Sequence, residues 1–407
     1  LLGLAEVQVP SPDEDPDDDP EPPGPGRRRN LPRKERWPAD LPVEETTVIP
    51  GEVKEQPEAF REIGREVSEQ LDYLPARLFV RRTIRPTFVR KGERSDEAPL
   101  TAPLPPRVLE RGIAGPGLVA AIIVGKYCDH LPLYRQQAIF QSRHGVMLSR
   151  QNMANWLGEA AFWMRPIYEE MRVEVFAGGY VQIDETPIRY LDPGRGEAGR
   201  GYLWTAHRPG FESLYHWETG RGADCLDRLV PVDFCGVVQC DGYAAYDAFA
   251  SRREGMTLAT CLAHVRRKFF EAKEEAPRVA VWFLKQFGLL YEIEREVKTA
   301  GPTLRQAARA SRSAMIYQRL TRALERHAHR HLPASALGKA VAYARVNWAA
   351  MVPWLEDGRI EIDNNLVENA IRPTAIGKNW LFMGSADAGH TGAILFTIVE
   401  CCRRHGL

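Results

Sequence analysis

The sequence predicts a mixed α/β core that carries a long helical insertion. Three observations lead to this fold class. Short β-rich segments, separated by glycine or proline, occur between residues 179 and 240 with one helical pattern among them. Residues 262–350 then have helical periodicity almost throughout and little β signal. Two further helical patterns follow at 364–372 and 391–404.

The composition is that of a globular protein rather than a membrane or disulfide-stabilised one. The 407 residues are 44% hydrophobic, and no apolar run reaches the roughly eighteen residues of a membrane span. The seven cysteines include no Cys-x-x-Cys pair, which favours a reducing compartment. The first nine residues lack a basic region and a cleavage site, so we expect a cytoplasmic protein without a secretory signal.

Net charge does not point to nucleic acid, because 54 basic and 54 acidic residues cancel. The basic residues are clustered, however, and a local basic surface is what contacts phosphate. Such clusters lie at 27–36, at 266–268 and in the arginine-rich stretch 305–331. Each cluster could equally be a solvated protein face.

The segments before the predicted core differ in composition. Residues 1–60 are Pro-rich, acidic and then basic, and are predicted to be disordered. Residues 61–106 contain short strand patterns around Leu78 and Ile84 and end in a polar linker with several prolines. Residues 107–176 are helical, and 177–407 hold the core, with the insertion at about 265–358.

The helical region has the pattern of a helix-turn-helix. A helix predicted to end before Gly145 is followed by a second helix for which Ser149 is a plausible N-cap. In DNA-binding proteins the second helix of such a pair contacts the DNA. Arg150 and Asn152 are therefore candidate DNA contacts, although an ordinary helical hairpin has the same pattern.

The order of elements in the core is three strands, a helix and a fourth strand. This is the order of a ribonuclease H-like core, a likeness of fold that carries no function by itself. The first strand is predicted to end on Asp184 and the fourth on Asp241. Open α/β proteins build sites where strands end, and two adjacent carboxylates invite a cation between them. Alternatively, each aspartate only caps a turn.

A third carboxylate lies on the helix predicted at 364–372. Asp363 fits its N-cap, and Asn364, Glu368 and Arg372 are spaced to share one face. Such a helix can place Glu368 over a sheet edge, but a surface Glu368–Arg372 ion pair fits the pattern equally. Three carboxylates suit phosphodiester chemistry, because two Mg²⁺ or Mn²⁺ ions roughly 4 Å apart can stabilise both the attacking and the leaving oxygen.

Several long motifs resemble the insertion sequence 66 family of bacterial DDE transposases, over roughly residues 30–407. They are IDETPIRYLDPGRG, VVQCDGYAAYDAF, CLAHVRRKFFEA and GRIEIDNNLVENAIRPTAIGKNWLFMGSADAG, preceded by EVSEQLDYLPARLFVRRTIRP and KYCDHLPLYRQQAIFQSRHGVMLSRQNMANW. The resemblance implies a metal-dependent transposase in which Asp184, Asp241 and Glu368 form the catalytic and metal-binding triad. It also implies that the partner is DNA, both element ends and target, bound by a homo-oligomer in the bacterial nucleoid, with accessory proteins a further option.

The sequence departs from the family at three places. The matching stretches VKEQPEAFREIG and TFVRKGE lack the cysteines of the family's zinc finger, so no zinc is expected. The start lacks the family's usual N-terminal helix, and the chain stops at Leu407 where the family continues. A truncated or decayed copy that only binds DNA, and a structure-specific nuclease of the same fold, are therefore alternative interpretations.

Other residues are candidates for support or for DNA contact. Cys261 and His264 form half of a zinc-like motif, and the resemblance implies that this motif supports a helix carrying Arg266 and Arg267 near the site. A buried core cysteine and a histidine with satisfied hydrogen bonds are the alternative. The segment after the Glu368 helix contains three candidates for phosphate contact or base stacking, with a buried, turn-anchoring tryptophan as the alternative. These three are Lys378, Asn379 and Trp380. Glu185 is interpreted as a supporting or exposed residue.

Overall fold

A five-stranded mixed sheet lies at the centre of the structure, with helices on both faces. In this computed structural model the described residues are 78, 87–88, 100–101, 107–109, 113–192, 196–378 and 380–407, which belong to one unit spanning Arg77–Leu407. Within 61–106, Thr87–Phe88 (β1) pairs antiparallel with Leu100–Thr101 (β2). The predictions for residues 1–60 and for most of 61–106 lie outside the described residues.

Among the described residues three helices precede the sheet, and local sequence explains where they end. They are α1 (Pro116–Tyr127), α2 (Leu133–His144) and α3 (Arg150–Ala177). Gly145 ends α2 in the left-handed conformation at φ 66°, which costs glycine little. The Ser149 hydroxyl accepts a hydrogen bond from the amide of Asn152 at 3.1 Å and so caps α3. Both predicted boundaries are confirmed.

The sheet and its crossovers are formed by β3 (Tyr180–Tyr190), β4 (Gly199–His207), β5 (Ser213–Glu218), α4 (Ala223–Leu229), β6 (Gly236–Cys240), α5 (Ala244–Ala250) and β7 (Met256–Thr260). The strand order is β5-β4-β3-β6-β7. The strands β3, β4 and β5 are antiparallel, whereas β3, β6 and β7 run parallel. Short helices α4 and α5 provide the crossovers that parallel neighbours require. A mixed sheet flanked by helices was predicted and is confirmed.

The sequence prediction was wrong about the end of β3. Asp184 does not end the strand, because β3 pairs with β4 as far as Tyr190. Pairing with β6 stops at Gln182, so among the described strands only β4 pairs with the second half of β3, which also forms a single bridge between Tyr190 and Met383. A strand that is open on one side tolerates a proline, so Pro187 lies within β3 and does not end it. The prediction also missed α5 and β7.

The long segment between β7 and the helix that carries Glu368 is helical. It contains a second hydrophobic core, in which Phe269, Phe283 and Phe287 are fully buried. Arg309, also fully buried, forms a two-pronged ion pair with Glu294 at 2.7 Å. The elements are α6 (Leu262–Glu271), α7 (Pro277–Glu296), α8 (Pro302–Ala308), a π-helical turn (Arg309–Ser313), α9 (Ala314–His327), α10 (Ala336–Asn347), a 3₁₀ turn (Ala349–Met351) and α11 (Val352–Glu356).

Two helices after this segment cover one face of the sheet, namely α12 (Asn365–Gly377) and α13 (Ala388–Arg404). The Tyr215 hydroxyl on β5 donates to the carbonyl of Ala370 in α12 at 2.6 Å. Its amide donates to the hydroxyl of Thr397 in α13 at 3.0 Å. No helix among the described residues is long and apolar enough to cross a membrane.

Candidate active site

The register of the two central parallel strands brings Asp184 and Asp241 to the same level. Gln182 on β3 pairs with Gln239 on β6, and each aspartate lies two residues further along its chain. Residues two apart on a strand point to the same face, and neighbouring strands are about 4.8 Å apart. The two aspartates therefore belong to one sheet face, although only Asp241 follows the end of its strand.

A buried polar network lies just below the aspartates on this face. The Gln182 amide donates to the side-chain oxygen of Gln239 at 2.9 Å, and the Tyr180 hydroxyl donates to the same oxygen at 2.6 Å. Both glutamines are fully buried. Buried polar groups without partners are costly, so this network fixes the spacing of β3 and β6 directly before the two aspartates.

The same network anchors the segment that carries Glu368. Gln182 donates to the carbonyl of Asp363 at 2.9 Å and accepts from the amide of Val367 at 3.1 Å. Gln239 donates to the carbonyl of Glu361 at 2.8 Å. Gln182 thereby attaches the first turn of α12, in which Glu368 lies, to β3, and Gln239 attaches the segment just before that turn to β6.

The start of α12 differs from the sequence prediction. The N-cap is Asn364 rather than Asp363, but the Asp363 carboxylate accepts from the amide of Asn365 at 3.1 Å. Asn364 is fully buried, whereas Arg372 on the same predicted face is exposed, so that face is buried at its start and open at its end. The start of α12 lies against β3 because its backbone bonds to Gln182, and Asn364 is enclosed there. An apolar stripe along the helix would not predict this contact.

Electrostatics place the three carboxylates in one neighbourhood. The pKa of Asp184 is raised to about 8, mainly by burial and further by the nearby charges of Glu185, Asp241 and Glu368, against one hydrogen bond. That bond is donated by the Glu185 amide at 2.8 Å. A carboxylate whose charged form is disfavoured by burial and by like charges is stabilised when a cation binds.

The spacing of the three carboxylates is wider than that of a closed metal site. Among the described residues, only Glu212, Cys401 and His405 bring possible ligand atoms within 4.8 Å of one another. In that group the His405 ring lies 2.9 Å from the Glu212 carboxylate, while the Arg404 guanidinium lies 4.0 Å from its other oxygen. The group is therefore an ion-pair cluster, in which Glu212 lies beside the cationic Arg404 side chain.

His264 and Cys261 contact the Glu368 segment from α6. The His264 Nε2 atom lies 3.7 Å from the Glu368 carboxylate. The Cys261 sulfur, fully buried, accepts from the amide of Asn364 at 3.4 Å. The amide of Leu262 donates to the carbonyl of Ile362 at 3.1 Å. The Cys-x-x-His motif therefore joins the start of α6 to the start of α12.

An ion pair missed by sequence reasoning lies on the opposite face of β3. Glu185 is 1% exposed at its side chain and pairs with the Arg221 guanidinium, which also lies over the Tyr243 ring at 3.9 Å. Burial raises the pKa of the Glu185 carboxyl, and Arg221 opposes this shift. The Tyr246 hydroxyl donates to Glu185 at 3.2 Å. The sequence contains one signal for this arrangement. Asp184 and Glu185 are adjacent on a strand, and adjacent side chains on a strand point to opposite faces of the sheet.

The remaining candidates are distributed around this site. Lys378 Nζ lies 3.5 Å from the hydroxyl of Thr186, which is two residues beyond Asp184 on the same strand. Trp380 is 41% exposed, so the turn-anchoring alternative was wrong about its burial, but its indole N–H donates to the carbonyl of His130 at 2.9 Å. Asn379 lies outside the described residues. The other candidates are exposed, and no contact between described residues joins them to the carboxylates: Arg150, Asn152, Arg267 and Arg372.

Comparison with known proteins gives a consistent result. Residues 111–391 match a model described as the IS66 family of transposases. An uncharacterised protein of Sinorhizobium fredii, y4jD, is 34% identical over 364 residues, covering 86% of this chain and 70% of that protein. A second protein of that organism, y4qI, is 36% identical over 361 residues, covering 85% of this chain and 66% of that protein. A third, y4hP, is 28% identical over 403 residues, covering 92% of this chain and 72% of that protein. The chain thus spans about two thirds of the length of these relatives.

Proposed function

The chain belongs to the IS66 family of transposases, and from this premise we propose that it cuts DNA at the ends of an insertion sequence. We further propose that it joins the freed 3′-hydroxyl to target DNA. Asp184, Asp241 and Glu368 are the proposed catalytic triad. The observation that carries this proposal is the buried network of Gln182 and Gln239, which attaches the Glu368 turn to the strands that carry both aspartates.

The proposed cofactor is Mg²⁺ or Mn²⁺, held by the three carboxylates. The donor set fits, because it consists of carboxylate oxygens, which hard divalent cations prefer. The raised pKa of Asp184 fits as well, since the site is short of positive charge. Two such ions, when bound, would stabilise charge on the attacking and leaving oxygens of a phosphodiester. No zinc is part of the proposal.

The surrounding residues of the chain have proposed positioning roles. His264 restrains the Glu368 carboxylate, and Cys261 restrains the backbone from which that side chain projects. Lys378 directly follows α12 and lies near Thr186 on β3, so it is suited to contact a phosphate of the bound DNA strand. Arg267 and Arg372, both exposed, are further proposed phosphate contacts. Glu185 supports β3 from the opposite face through its pair with Arg221.

The fold proposed for this core is ribonuclease H-like. The strand order β5-β4-β3-β6-β7, antiparallel on one side and parallel on the other, supports it. The helices α1 to α3 are the proposed DNA-binding region, with Arg150 and Asn152 exposed on the first turn of α3. The partners proposed are element ends and target DNA, bound by more than one copy of the chain.

The experiment is a cleavage and joining assay with a labelled duplex that ends in the terminal sequence of the element carrying this gene. In Mg²⁺ the purified protein should nick the element end and transfer it to a supercoiled target plasmid. Cleavage without joining would indicate a structure-specific nuclease. Binding without cleavage would indicate a decayed copy, and either result would contradict the proposed function.

A further inference from the structure

The arginine-rich stretch 305–331 divides into two parts in the folded chain. Its first three arginines are each paired with a glutamate from another part of the chain: Arg305, Arg309 and Arg312. The last three are exposed, and no side chain among the described residues forms an ion pair or a hydrogen bond with them. We call these three residues the arginine stripe: Arg322, Arg326 and Arg330.

The spacing of the arginine stripe places its members on one side of the chain. Arg322 and Arg326 lie on α9, and Arg330 follows four residues later, just after the helix ends. Residues four apart on a helix are neighbours, with Cβ atoms about 5–6 Å apart. The pKa of His327 is lowered first by burial and then by nearby positive groups, which include Arg326 and Arg330. Positive charge therefore converges at the C-terminal end of α9.

The helix itself does not offset this charge. Glu325 is the single acidic residue of α9, and its carboxylate pairs with Arg345 on α10 at 3.2 Å. Like charges four residues apart destabilise a helix, so the arginine stripe lowers the stability of the free protein. A bound polyanion would remove that repulsion, and a surface of one sign attracts a partner of the other.

The buried side of α9 holds the arginine stripe in place. Leu320 and Leu324 are buried in the second hydrophobic core. Arg319, in the turn before Arg322, donates to the side-chain oxygen of Gln286 on α7 at 3.1 Å. The backbone that carries the stripe is thus fixed before a partner binds, which reduces the ordering that binding requires.

We propose that the arginine stripe binds phosphates of duplex DNA outside the active site. The proposal rests on the proposed function and adds a DNA-binding surface on the helical segment between β7 and α12. Guanidinium groups match phosphate in a planar, two-pronged geometry. Arg322 and Arg326 are about 6 Å apart along the helix, whereas phosphates recur every 3.4 Å along the axis for one strand, so each arginine can reach a different phosphate.

The test measures how affinity for duplex DNA depends on salt, in metal-free buffer so that no cleavage occurs. Each phosphate contact contributes about 0.9 to the slope of log affinity against log salt concentration. The stripe variant replaces all three arginines by glutamine: Arg322→Gln, Arg326→Gln and Arg330→Gln. Its slope should be smaller than that of the unaltered chain by roughly two to three units.

A matched variant removes the same number of charges elsewhere on the surface. Arg252, Arg295 and Arg359 are exposed, and each is paired with a carboxylate. Replacing these three by glutamine lowers the net charge equally, but should reduce the slope by less than one unit. The proposal requires the stripe variant to lose at least one unit more than the matched variant, and a smaller difference would overturn it.

The lysine and arginine contacts proposed near the active site do not enter this comparison, so the two proposals can fail separately. If the chain cuts and joins DNA while the stripe variant keeps the slope of the matched variant, only the arginine stripe fails. If the unaltered chain does not bind DNA, both proposals fail. If the stripe variant binds DNA normally but no longer binds a peptide with the acidic sequence of residues 10–22, the partner is an acidic protein segment and not DNA.

Two further measurements control for folding. Without DNA, the stripe variant should resist urea at least as well as the unaltered chain, because it removes like-charge repulsion. In the unaltered chain, phenylglyoxal should modify the arginine stripe and Arg359, as read by mass spectrometry. Bound DNA should protect the stripe and not Arg359. Unprotected stripe arginines in a chain that is saturated with DNA would overturn the proposal.

Discussion

Replacing Asp184 by asparagine should stabilise the protein in the absence of metal. The pKa of Asp184 is raised from 3.8 to about 8, first by burial and then by the charges of Glu185, Asp241 and Glu368. The folded state therefore holds this proton more tightly than the unfolded chain. The contribution of Asp184 to the free energy of unfolding should be fully present at acid pH and should be lost as pH rises from about 4 to about 8.

The magnitude follows from the same shift. At pH 7 the carboxyl is about three pH units above its ordinary pKa, and each unit corresponds to about 1.36 kcal/mol. This gives an upper bound of about 4 kcal/mol, which partial exposure and relaxation reduce to roughly 2 kcal/mol. Asparagine has a similar shape and no charge, so Asp184→Asn should recover most of that free energy. Its stability should also depend less on pH.

In the presence of Mg²⁺ the unaltered chain should become more stable than Asp184→Asn, the reverse of their order without metal. The unaltered chain should gain stability as Mg²⁺ is added, because the cation binds only the folded state, whereas Asp184→Asn should gain little. Urea unfolding at pH 7, with and without Mg²⁺, measures both effects. Asp233→Asn, an exposed aspartate before β6, is the matched control and should behave like the unaltered chain.

The same variant separates binding from chemistry. Cleavage and strand transfer should fall by several orders of magnitude, since the site loses a charge that stabilises the cations. DNA binding in a gel shift should remain nearly intact, because it depends on lysine and arginine contacts with phosphate. If Asp184→Asn is less stable than the unaltered chain without metal, or still cuts DNA normally, Asp184 is not the buried metal ligand that we propose.

Three other predictions concern the supporting structure. Tyr180→Phe should weaken Mg²⁺-dependent cleavage roughly tenfold and raise the Mg²⁺ concentration required, because its hydroxyl donates to Gln239 and accepts from the backbone of the α12 segment. Tyr168→Phe, which removes a buried hydrogen bond elsewhere, should lower stability without this metal effect. Replacing Arg150 and Asn152 by alanine should weaken DNA binding in a gel shift and leave Mg²⁺-induced stabilisation unchanged. Elemental analysis of purified protein should find no stoichiometric zinc, and one zinc per chain would contradict the absence of a zinc site.

Local signals were sufficient to predict much of the fold. Ser149 and Gly145 mark helix ends through a side-chain cap and a left-handed backbone, both properties of single residues. Short β-rich segments between glycine and proline predicted strands where β4 and β5 are observed. The end of β3 was misjudged, because whether Pro187 breaks a strand depends on which neighbours pair with it.

Non-local contacts account for what the sequence could not predict about the site. The residues Asp184, Asp241 and Glu368 could be chosen as candidates because they lie in predicted strands and in a predicted helix. The hydrogen-bond network that joins these elements could not be predicted, since Gln182 and Gln239 look like ordinary polar residues in apolar strands. The pairing of Glu185 with Arg221 depends on a separation of 36 residues, and only the folded chain shows it.

A structure with Mn²⁺ bound would show whether Asp184, Asp241 and Glu368 hold the metal. Crystals grown or soaked with Mn²⁺ would locate the ion by its anomalous scattering, independently of any assay of activity. We predict manganese between the three carboxylates, which should be drawn closer together than in the metal-free arrangement. Manganese bound elsewhere, or bound to the aspartates with Glu368 turned away, would contradict the proposed triad.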